Sequence, residues 1–325
     1  MKPFEYTRLS TEDLAATGTK TDFTFLAGGT NLVDLMKYGV EKPDKVADLG
    51  QLAFDQIEEM DNGLRLGALV TNADTAYHSA VKQQYPVLNK AILSAASSQL
   101  RNRATNGGNL LQRTRCYYFY DTAMPCNKRE PGSGCSAING FNRIHAILGT
   151  SESCIATHPS DMCVALAALE AKVYVLRKGE TVIIPFDKLH RLPGDSPEKD
   201  HNLEPGDLIT HIELPKEGFA KNFEYLKIRD RESYAFALVS VAACLDVSGG
   251  RIADIRVALG GVAHKPWKSK EIEKEFMGKE PTTENFQSLA EKLTQGAKGF
   301  GTNDFKIPLV KRAIVRALNN ALNPS

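Results

Sequence analysis

The chain has 325 residues, more than one hydrophobic core usually supports, so two or three domains are expected. The composition, 42% apolar and 24% charged, is that of an ordinary globular protein, and the net charge of +1 gives no argument for a nucleic-acid or anionic-membrane partner. No apolar run approaches the ~18 residues of a membrane span. Six cysteines are too sparse for a disulfide framework. With no signal-peptide core and no twin arginine, the sequence predicts a cytoplasmic protein, or a periplasmic one if a partner exports it.

A first glycine motif lies between a predicted strand and a predicted helix. Residues 22–27 are expected to form a short buried strand, and Gly28-Gly29-Thr30-Asn31 a turn, after which apolar residues recur at helical spacing. Thr30 or Asn31 would cap that helix. Such a turn can point several backbone N–H groups at one anion, and a diphosphate is the ligand expected there. The alternative is a tight connection that needs a positive φ.

A second glycine loop follows two predicted strands, 45–49 and 64–70, and two predicted helices, 71–80 and 85–100. It runs from Arg101 to Asn109. Two such loops in one chain favour a dinucleotide site, because each could hold one side of a pyrophosphate.

Four of the six cysteines fall between Asn109 and Asp161, in a segment rich in turn-forming residues. They are Cys116, Cys126, Cys135 and Cys154, with the spacing C-x9-C-x8-C-x18-C. None of these intervals is the C-x2-C of zinc ribbons or bacterial ferredoxins, so the spacing names no metal. Nearby glycines, prolines and basic residues favour an iron–sulfur cluster, while zinc and free thiols stay open. His145 and His158 are further candidate ligands, although an ordinary polar role is expected for both.

The rest of the chain divides at a change of composition near 216–218. A third region begins after this boundary. Before the boundary, Cys163 is expected to pack among the apolar residues of a helix. The predicted elements are a helix at 161–172, strands at 173–176, 181–184 and 208–214, a loop-rich stretch at 186–207, strands at 223–227 and 252–259, an apolar stretch at 235–247, and helices at 268–276, 283–298 and 305–322.

Four motifs, in their order along the chain, resemble the flavin-binding subunit of the xanthine dehydrogenase and carbon monoxide dehydrogenase family. They are Leu26–Leu32, Ala104–Leu110, Ser160-Asp161, and Tyr225–Arg231 followed by Tyr234–Ala237. The resemblance implies an α+β fold. An FAD-binding domain of the PCMH or vanillyl-alcohol-oxidase type would occupy 1–217, in subdomains of about 1–55 and 56–217. A smaller α+β domain of the CO dehydrogenase flavoprotein C-terminal type would occupy 218–325.

The cysteine segment, at about 111–158, is an insertion relative to most of that family. It resembles the insertion in the flavin subunit of bacterial periplasmic aldehyde oxidoreductases, where four cysteines bind a [4Fe–4S] cluster. The flavin subunit of 4-hydroxybenzoyl-CoA reductase also carries such a cluster, in a sequence less like this one. The resemblance thus implies that Cys116, Cys126, Cys135 and Cys154 bind the cluster, and that Cys163 and Cys244 stay structural.

The resemblance also implies which residues contact FAD. Asp161 would bond the ribityl or ribose hydroxyls, Lys227 would lie near the isoalloxazine, and the backbone of Ile209 would reach the flavin edge. Thr114 is a further expected contact, although Gln112 stands nearer to the position of the family's threonine. The pyrophosphate would be held by Leu26, Ala27, Gly28, Gly29, Thr30, Asn31, Leu32, Val33 and Asp34, opposite a second wall of Thr105, Gly108 and Asn109.

The function implied is that of an electron-transfer subunit. Substrate would be oxidised on a molybdenum-cofactor large subunit, and electrons would pass through a [2Fe–2S] small subunit to FAD and on to an external acceptor. The assembly would be a heterotrimer or a dimer of heterotrimers. The cluster is expected within electron-transfer reach of the flavin, although it could instead only brace the loop. The alternatives are a subunit of a reductive hydroxybenzoyl-CoA reductase-type complex and a zinc-stapled binding module without redox chemistry.

Overall fold

The computed structural model describes residues 1–11, 14 and 22–323. The strands are β1 Glu5–Arg8, β2 Thr24–Leu26, β3 Lys45–Asp48, β4 Ile57–Met60, β5 Gly63–Gly67, β6 Lys172–Arg177, β7 Glu180–Pro185, β8 Leu208–Pro215, β9 Phe223–Ile228, β10 Val239–Ser248 and β11 Arg251–Gly260. The helices are α1 Leu32–Lys37, α2 Asn72–Tyr77, α3 Ser79–Gln84, α4 Pro86–Ser94, α5 Ser98–Arg101, α6 Asn106–Leu110, α7 Tyr117–Tyr120, α8 Asp161–Ala168, α9 Phe186–Leu189, α10 Lys270–Lys274, α11 Thr283–Leu293 and α12 Lys306–Leu322. Within these described ranges, no helix combines the length and the apolar character that crossing a membrane requires.

Helix and sheet are mixed along the chain, which confirms the predicted α+β class. A three-stranded parallel sheet has the order β1-β3-β2, and a five-stranded antiparallel sheet has the order β4-β5-β8-β6-β7. Strand β2 is shorter than the predicted strand 22–27, and α1 follows it after the glycine turn, as expected. The glycine turn is thereby held between a strand of one sheet and the helix that follows.

The five-stranded sheet packs against α4 and α8, which supply much of one hydrophobic core. The predicted helix 85–100 is in fact two helices, because Ala95 is extended and Ala96 has φ +49°. Ser97 then caps α5 by accepting a hydrogen bond from the Leu100 N–H. The predicted helix 161–172 is also shorter, since Glu170 adopts φ +56° and Lys172 begins β6. In both places a residue in the left-handed region ends the helical backbone.

The third sheet, with the order β11-β10-β9, forms a second core with α11 and α12. Helix α12 buries Val310, Ala313, Ile314 and Leu318 on one face, as its apolar spacing predicts. Residues of the cysteine segment join this core. The Ile147 and Leu148 N–H groups both donate to the Val262 carbonyl, at 2.9 and 3.0 Å. The cysteine segment follows α6 in the chain, and it is therefore also packed against the C-terminal sheet. The predicted domain limits at 55, 217 and 218 remain predictions.

Candidate functional site

A cleft of about 290 Å³ lies where the two glycine loops meet the start of β8. Its walls come from segments far apart in sequence, brought together by the two N-terminal sheets. It is lined by residues 24–32, Leu35, Glu41, Leu49, Ala68, Leu69, Thr105, Gly107, Gly108, Leu111, Arg113 and 207–209. Of the predicted FAD contacts, the cleft thus brings together Leu26–Leu32, Thr105, Gly108 and Ile209.

The two glycine loops touch each other at Gly28. A Cβ at this position would stand 2.0 Å from the Arg103 carbonyl oxygen, so no side chain fits there. Gly29 has φ +75°, a conformation that side chains disfavour. The turn is therefore a close approach of two backbones, and it fixes the width of the cleft.

The second wall is held by a buried asparagine. Asn106 is fully buried, and its side chain bonds to Thr75 and to the Gly67 carbonyl. Next to it, Thr105 caps α6 by accepting a hydrogen bond from the Gly108 N–H at 3.3 Å. Gly107 packs directly on Ala68, to which a Cβ would come within 3.1 Å. These contacts place the Thr105–Gly108 backbone at the cleft.

Asn31 occupies the predicted N-cap position of α1, but its side chain makes no capping bond. Its Oδ1 instead accepts a hydrogen bond from the Arg113 N–H at 2.8 Å. Arg113 lines the cleft and stands three residues before Cys116. The Asn31 side chain therefore joins the first glycine loop to the start of the cysteine segment.

Asp161 and Lys227 form a buried ion pair. Lys227 Nζ lies 2.8 Å from Asp161 Oδ2, and the Tyr225 hydroxyl donates to Asp161 Oδ1 at 2.7 Å. Lys227 also donates to the Ser94 carbonyl at 3.0 Å. Asp161 lines a second, small cavity, together with Arg115, Ser160 and Phe236 among others. Asp161 and Lys227, the predicted contacts of the flavin's sugar and ring, are thus paired with each other where the third sheet meets α8.

The remaining predicted FAD residues lie around the cleft rather than in its wall. Asn109 donates to Asn72 at 2.7 Å and accepts from the Ser160 hydroxyl, which links α6 to the start of α8. Val33 and Asp34 lie in α1, just past the turn. Thr114 lines the cavity between the cysteines, where its hydroxyl accepts from the Cys116 N–H at 3.3 Å. The contact of each of these residues with FAD stays a prediction.

All four predicted cysteine ligands line one cavity. Cys116, Cys126 and Cys154 are buried, Cys135 is partly exposed, and none of the four is in a disulfide. A single β-bridge pairs Cys126 with Cys135. The cavity is completed by Thr114, Tyr118, Phe119, Pro125, Asn127, Lys128, Ser136, Ala137, Ser153 and Ala156. Thiols from the whole segment therefore face one enclosed space.

The environment of these sulfur atoms is largely dry. Burial raises the pKa of the Cys116 thiol to about 12, whereas a hydrogen bond from Cys154 lowers the pKa of Cys135 to about 6. Burial also lowers the pKa of His145 to about 4 and that of His264 to about 3, so both imidazoles are neutral near pH 7. Their Nε2 atoms lie 3.0 Å from Cys116 Sγ and 3.3 Å from Cys154 Sγ, respectively.

The separation of the sulfurs bears on which metal they could hold. Among residues 1–11, 14 and 22–323, the one group with three or more possible ligand atoms within 4.8 Å of one another is His158, Cys163 and His190. Both of these imidazoles already face the Leu110 carbonyl, at 3.4 and 2.8 Å, so they hold α6 in place. No three of the four cysteine sulfurs therefore lie within 4.8 Å of one another. In a tetrahedral zinc tetrathiolate all four sulfurs would be about 3.8 Å apart, which follows from Zn–S bonds of about 2.3 Å.

A charged cluster joins the cysteine cavity to the FAD-side cleft. Buried Lys128 lies 2.5 Å from Asp200, whose other oxygen accepts from Arg113 Nε at 2.8 Å, and Arg113 also pairs with Glu41. Burial opposes ionisation of Asp200, but Lys128 and Arg113 outweigh it and hold the pKa of this carboxyl well below its usual range. Sequence reasoning missed Asp200 and His264. Each comes from a segment remote from the cysteines, and neither stands in a motif.

Residues 2–217 match the FAD binding domain in molybdopterin dehydrogenase, and residues 224–321 match the CO dehydrogenase flavoprotein C-terminal domain. The chain is 47% identical over 325 residues to the aldehyde oxidoreductase FAD-binding subunit PaoB of Escherichia coli strain K12, covering 99% of each. It is 26% identical to the glyceraldehyde dehydrogenase medium chain of Sulfolobus acidocaldarius, over 83% of this chain and 78% of that protein.

Solved structures agree on the fold. The carbon monoxide dehydrogenase chain of Hydrogenophaga pseudoflava superimposes with a TM-score of 0.76 at 23% identity, over 99% of this chain and 98% of that one. The two domain matches cover nearly the whole sequence in the order that the motifs predicted. The chain therefore belongs to the FAD-binding subunits of the molybdenum hydroxylase family, and it is an oxidoreductase subunit that binds FAD.

Proposed function

We propose that this chain binds FAD in the cleft and a [4Fe–4S] cluster on Cys116, Cys126, Cys135 and Cys154. In this proposal it is the electron-transfer subunit of an aldehyde oxidoreductase complex, and an aldehyde is oxidised on a molybdenum subunit. The proposal rests above all on one observation: four cysteines spread over 39 residues line one cavity, and that cavity is joined to the cleft by Arg113.

The cleft fits a diphosphate-containing cofactor. Gly28 and Gly29 line the cleft from the first glycine loop, and Thr105, Gly107 and Gly108 line it from the second. A glycine turn that precedes a helix can direct backbone N–H groups at phosphate oxygens, and the first loop has this form. When bound, FAD supplies the exchange between one-electron and two-electron chemistry. The side chains around it would bind and orient the cofactor; they would not react with substrate.

The Asp161–Lys227 pair fits the predicted ends of the flavin. A carboxylate accepts hydrogen bonds from hydroxyl groups, and a lysine ammonium stabilises negative charge nearby. Both side chains are about 5% exposed at most, so their charges are poorly screened by water. We propose that the Lys227 ammonium favours the reduced, anionic flavin.

The cysteine cavity fits an iron–sulfur cluster better than it fits zinc. The sulfurs face one space from four points of an irregular loop, and no three of them lie within 4.8 Å of one another, whereas a zinc tetrathiolate needs separations of about 3.8 Å. Lys128 lines the same cavity as a buried cation and would offset the negative charge of four thiolates. Metal analysis with an absorption spectrum separates the two: zinc without iron or acid-labile sulfide, together with flavin bands that lack a broad iron–sulfur absorption, would contradict the cluster.

A short stretch of chain connects the two proposed sites. From Cys116 the backbone leads back through Thr114 to Arg113, whose N–H is hydrogen-bonded to Asn31 in the first glycine loop. Covalent bonds and one 2.8 Å hydrogen bond thus span the region between cavity and cleft. This connection supports a role in relaying electrons over one in bracing the loop alone.

Replacing one ligand tests the cluster. We expect Cys126→Ser to lose most of its iron and acid-labile sulfide, because serine is a poor ligand for these clusters. Iron and sulfide analysis and the visible spectrum are the measurements. Cys244→Ala is the control, since Cys244 is equally buried but lies in β10, away from the cavity. Unchanged iron in Cys126→Ser would show that the ligand assignment is wrong.

Co-purification tests the proposed partners. We expect the tagged chain to bring down a molybdenum-cofactor large subunit and a [2Fe–2S] small subunit, with aldehyde oxidation measurable in the complex. Reduction of an aryl-CoA thioester by that complex, without aldehyde oxidation, would instead favour the reductive alternative. Fractionation of cells that make the whole complex would distinguish a cytoplasmic chain from one exported with its partners.

A further inference from the structure

We propose that His145 and His264 donate hydrogen bonds from Nε2–H to the Sγ atoms of Cys116 and Cys154, and thereby raise the reduction potential of the cluster. This inference rests on the proposed cluster and assigns a role to two side chains that are not its ligands. Both act through the cysteines, so they are positioning residues.

The first observation is the fixed position of His145. Its Nε2 lies 3.0 Å from Cys116 Sγ, and the side chain is almost fully buried. The backbone is held on both sides, because the His145 N–H donates to the Asn142 carbonyl and its own carbonyl accepts from Lys306 Nζ at 2.8 Å. Asn303 donates to the same carbonyl at 3.4 Å. The imidazole is thus aimed at the sulfur by contacts from α12 and from the turn before it.

The second observation is that His264 makes the matching contact from another part of the chain. Its Nε2 lies 3.3 Å from Cys154 Sγ, and it is 7% exposed. His264 follows the end of β11, so the C-terminal sheet delivers it to the cavity. Two unrelated segments therefore place the same kind of nitrogen against two different sulfurs of one cavity.

The direction of these hydrogen bonds follows from the chemistry of a bound thiolate. A cysteine that binds iron carries no proton, so its sulfur can only accept. The nitrogen that faces it must then hold the imidazole proton. This tautomer leaves Nδ1 as an acceptor, and the Nδ1 atoms of His145 and His264 are indeed buried without a partner among the described residues.

Neither imidazole lines the cavity that the four cysteines enclose. The cysteines stand between the histidines and that space. This arrangement suits hydrogen-bond donors behind the ligands rather than ligands themselves. Donors to cluster sulfurs stabilise the reduced, more negative state, and such bonds are known to tune cluster potentials.

The test is a redox titration of the cluster, followed by EPR, in the purified complex. We expect His145→Leu and His264→Leu to keep wild-type iron and sulfide and to shift the cluster's midpoint potential to a more negative value. His145→Gln and His264→Gln retain an N–H donor and should recover part of the shift. His78→Leu, a histidine between α2 and α3, is the control and should leave the potential unchanged.

A second measurement needs no variant. With ¹⁵N-labelled histidine, the reduced cluster in the wild-type complex should show only weak nitrogen coupling, as expected across a hydrogen bond. Strong coupling typical of a nitrogen bound to iron would overturn the inference, as would loss of iron in both leucine variants. A wild-type potential in the leucine variants at full iron content would also refute it. A wild-type complex with no iron and sulfide beyond the content of its [2Fe–2S] subunit would refute the [4Fe–4S] cluster itself, and this inference with it.

Discussion

At Gly28 a single missing methyl group determines whether the two glycine loops can meet. The backbone of the first loop lies against the Arg103 carbonyl, and the cleft opens beside that contact. The sequence motif marks this residue, but only the structure shows that the neighbour is another loop and not the ligand. Glycine is required here by the packing of two backbones.

We therefore expect Gly28→Ala to push the loops apart and to lose most of its FAD. The added Cβ would overlap the Arg103 oxygen, and such overpacking costs about 3 kcal/mol. Flavin content per polypeptide, from absorbance after denaturation, is the measurement. Gly179→Ala is the control: it strains a turn with φ +87°, but no atom lies within 4 Å of the added carbon. Full flavin content in Gly28→Ala would contradict this account of the cleft.

Among the elements, the loop before β8 acts as a clamp on the cysteine segment. Asp200 lies in this loop and contacts both Lys128 and Arg113, while the Pro197 carbonyl also accepts from Lys128 at 2.6 Å. The loop thus holds two cations, one beside the cysteine cavity and one beside the cleft. Its prolines make it look like a simple connection in the sequence.

Asp200→Asn should lower the free energy of unfolding by about 2 kcal/mol at neutral pH, because two charged hydrogen bonds lose their carboxylate. Folding lowers the pKa of Asp200, so the advantage of the wild type is complete above the usual carboxyl pKa of about 4. It should fade as the pH falls below that value. Thermal unfolding across pH, wild type against variant, is the measurement. The exposed Arg143–Asp230 pair provides the control, and Asp230→Asn should change stability by about 0.5 kcal/mol or less. An equal effect of both variants would contradict the clamp.

In the whole molecule, Lys227 joins three parts of the chain. It stands on β9 in the third sheet, pairs with Asp161 at the start of α8, and donates to Ser94 at the end of α4. The side chain predicted to tune the flavin is therefore also a structural link between the C-terminal sheet and the flavin-binding part. Both roles follow from the same buried ammonium group.

Lys227→Met should destabilise the protein by about 3 kcal/mol and also alter the flavin spectrum. The substitution keeps the apolar stem but leaves the buried Asp161 carboxylate without its cation. Thermal unfolding and flavin absorbance measure the two effects separately. Lys90→Met is the control: it removes a half-exposed ion pair with Glu224 at 3.6 Å and should change neither the stability nor the flavin spectrum. A stable variant with an unaltered flavin spectrum would show that the pair serves neither purpose.

Local patterns in the sequence were enough to predict many of the helices, strands and turns. The apolar spacing of α12, the alternation of β8 and the glycine turn before α1 follow from periodicity and from the needs of the backbone near the turn. The ends of helices were less accessible. Ala96 and Glu170 adopt positive φ, although neither is a glycine, the residue type that usually marks this conformation in a sequence.

The sequence by itself determined the motifs of the flavin-binding family, whose resemblance implied the α+β class, and the four cysteines that could share a metal centre. These features are carried by residue types at short spacing, which a single segment can reveal. Tertiary structure alone decided that Asn31 bonds to Arg113 instead of capping α1, that Asp161 pairs with Lys227, and that His264 reaches Cys154. Each of these contacts joins residues more than sixty positions apart. Such pairs depend on how the sheets and the cysteine segment pack together, and no local pattern encodes that packing.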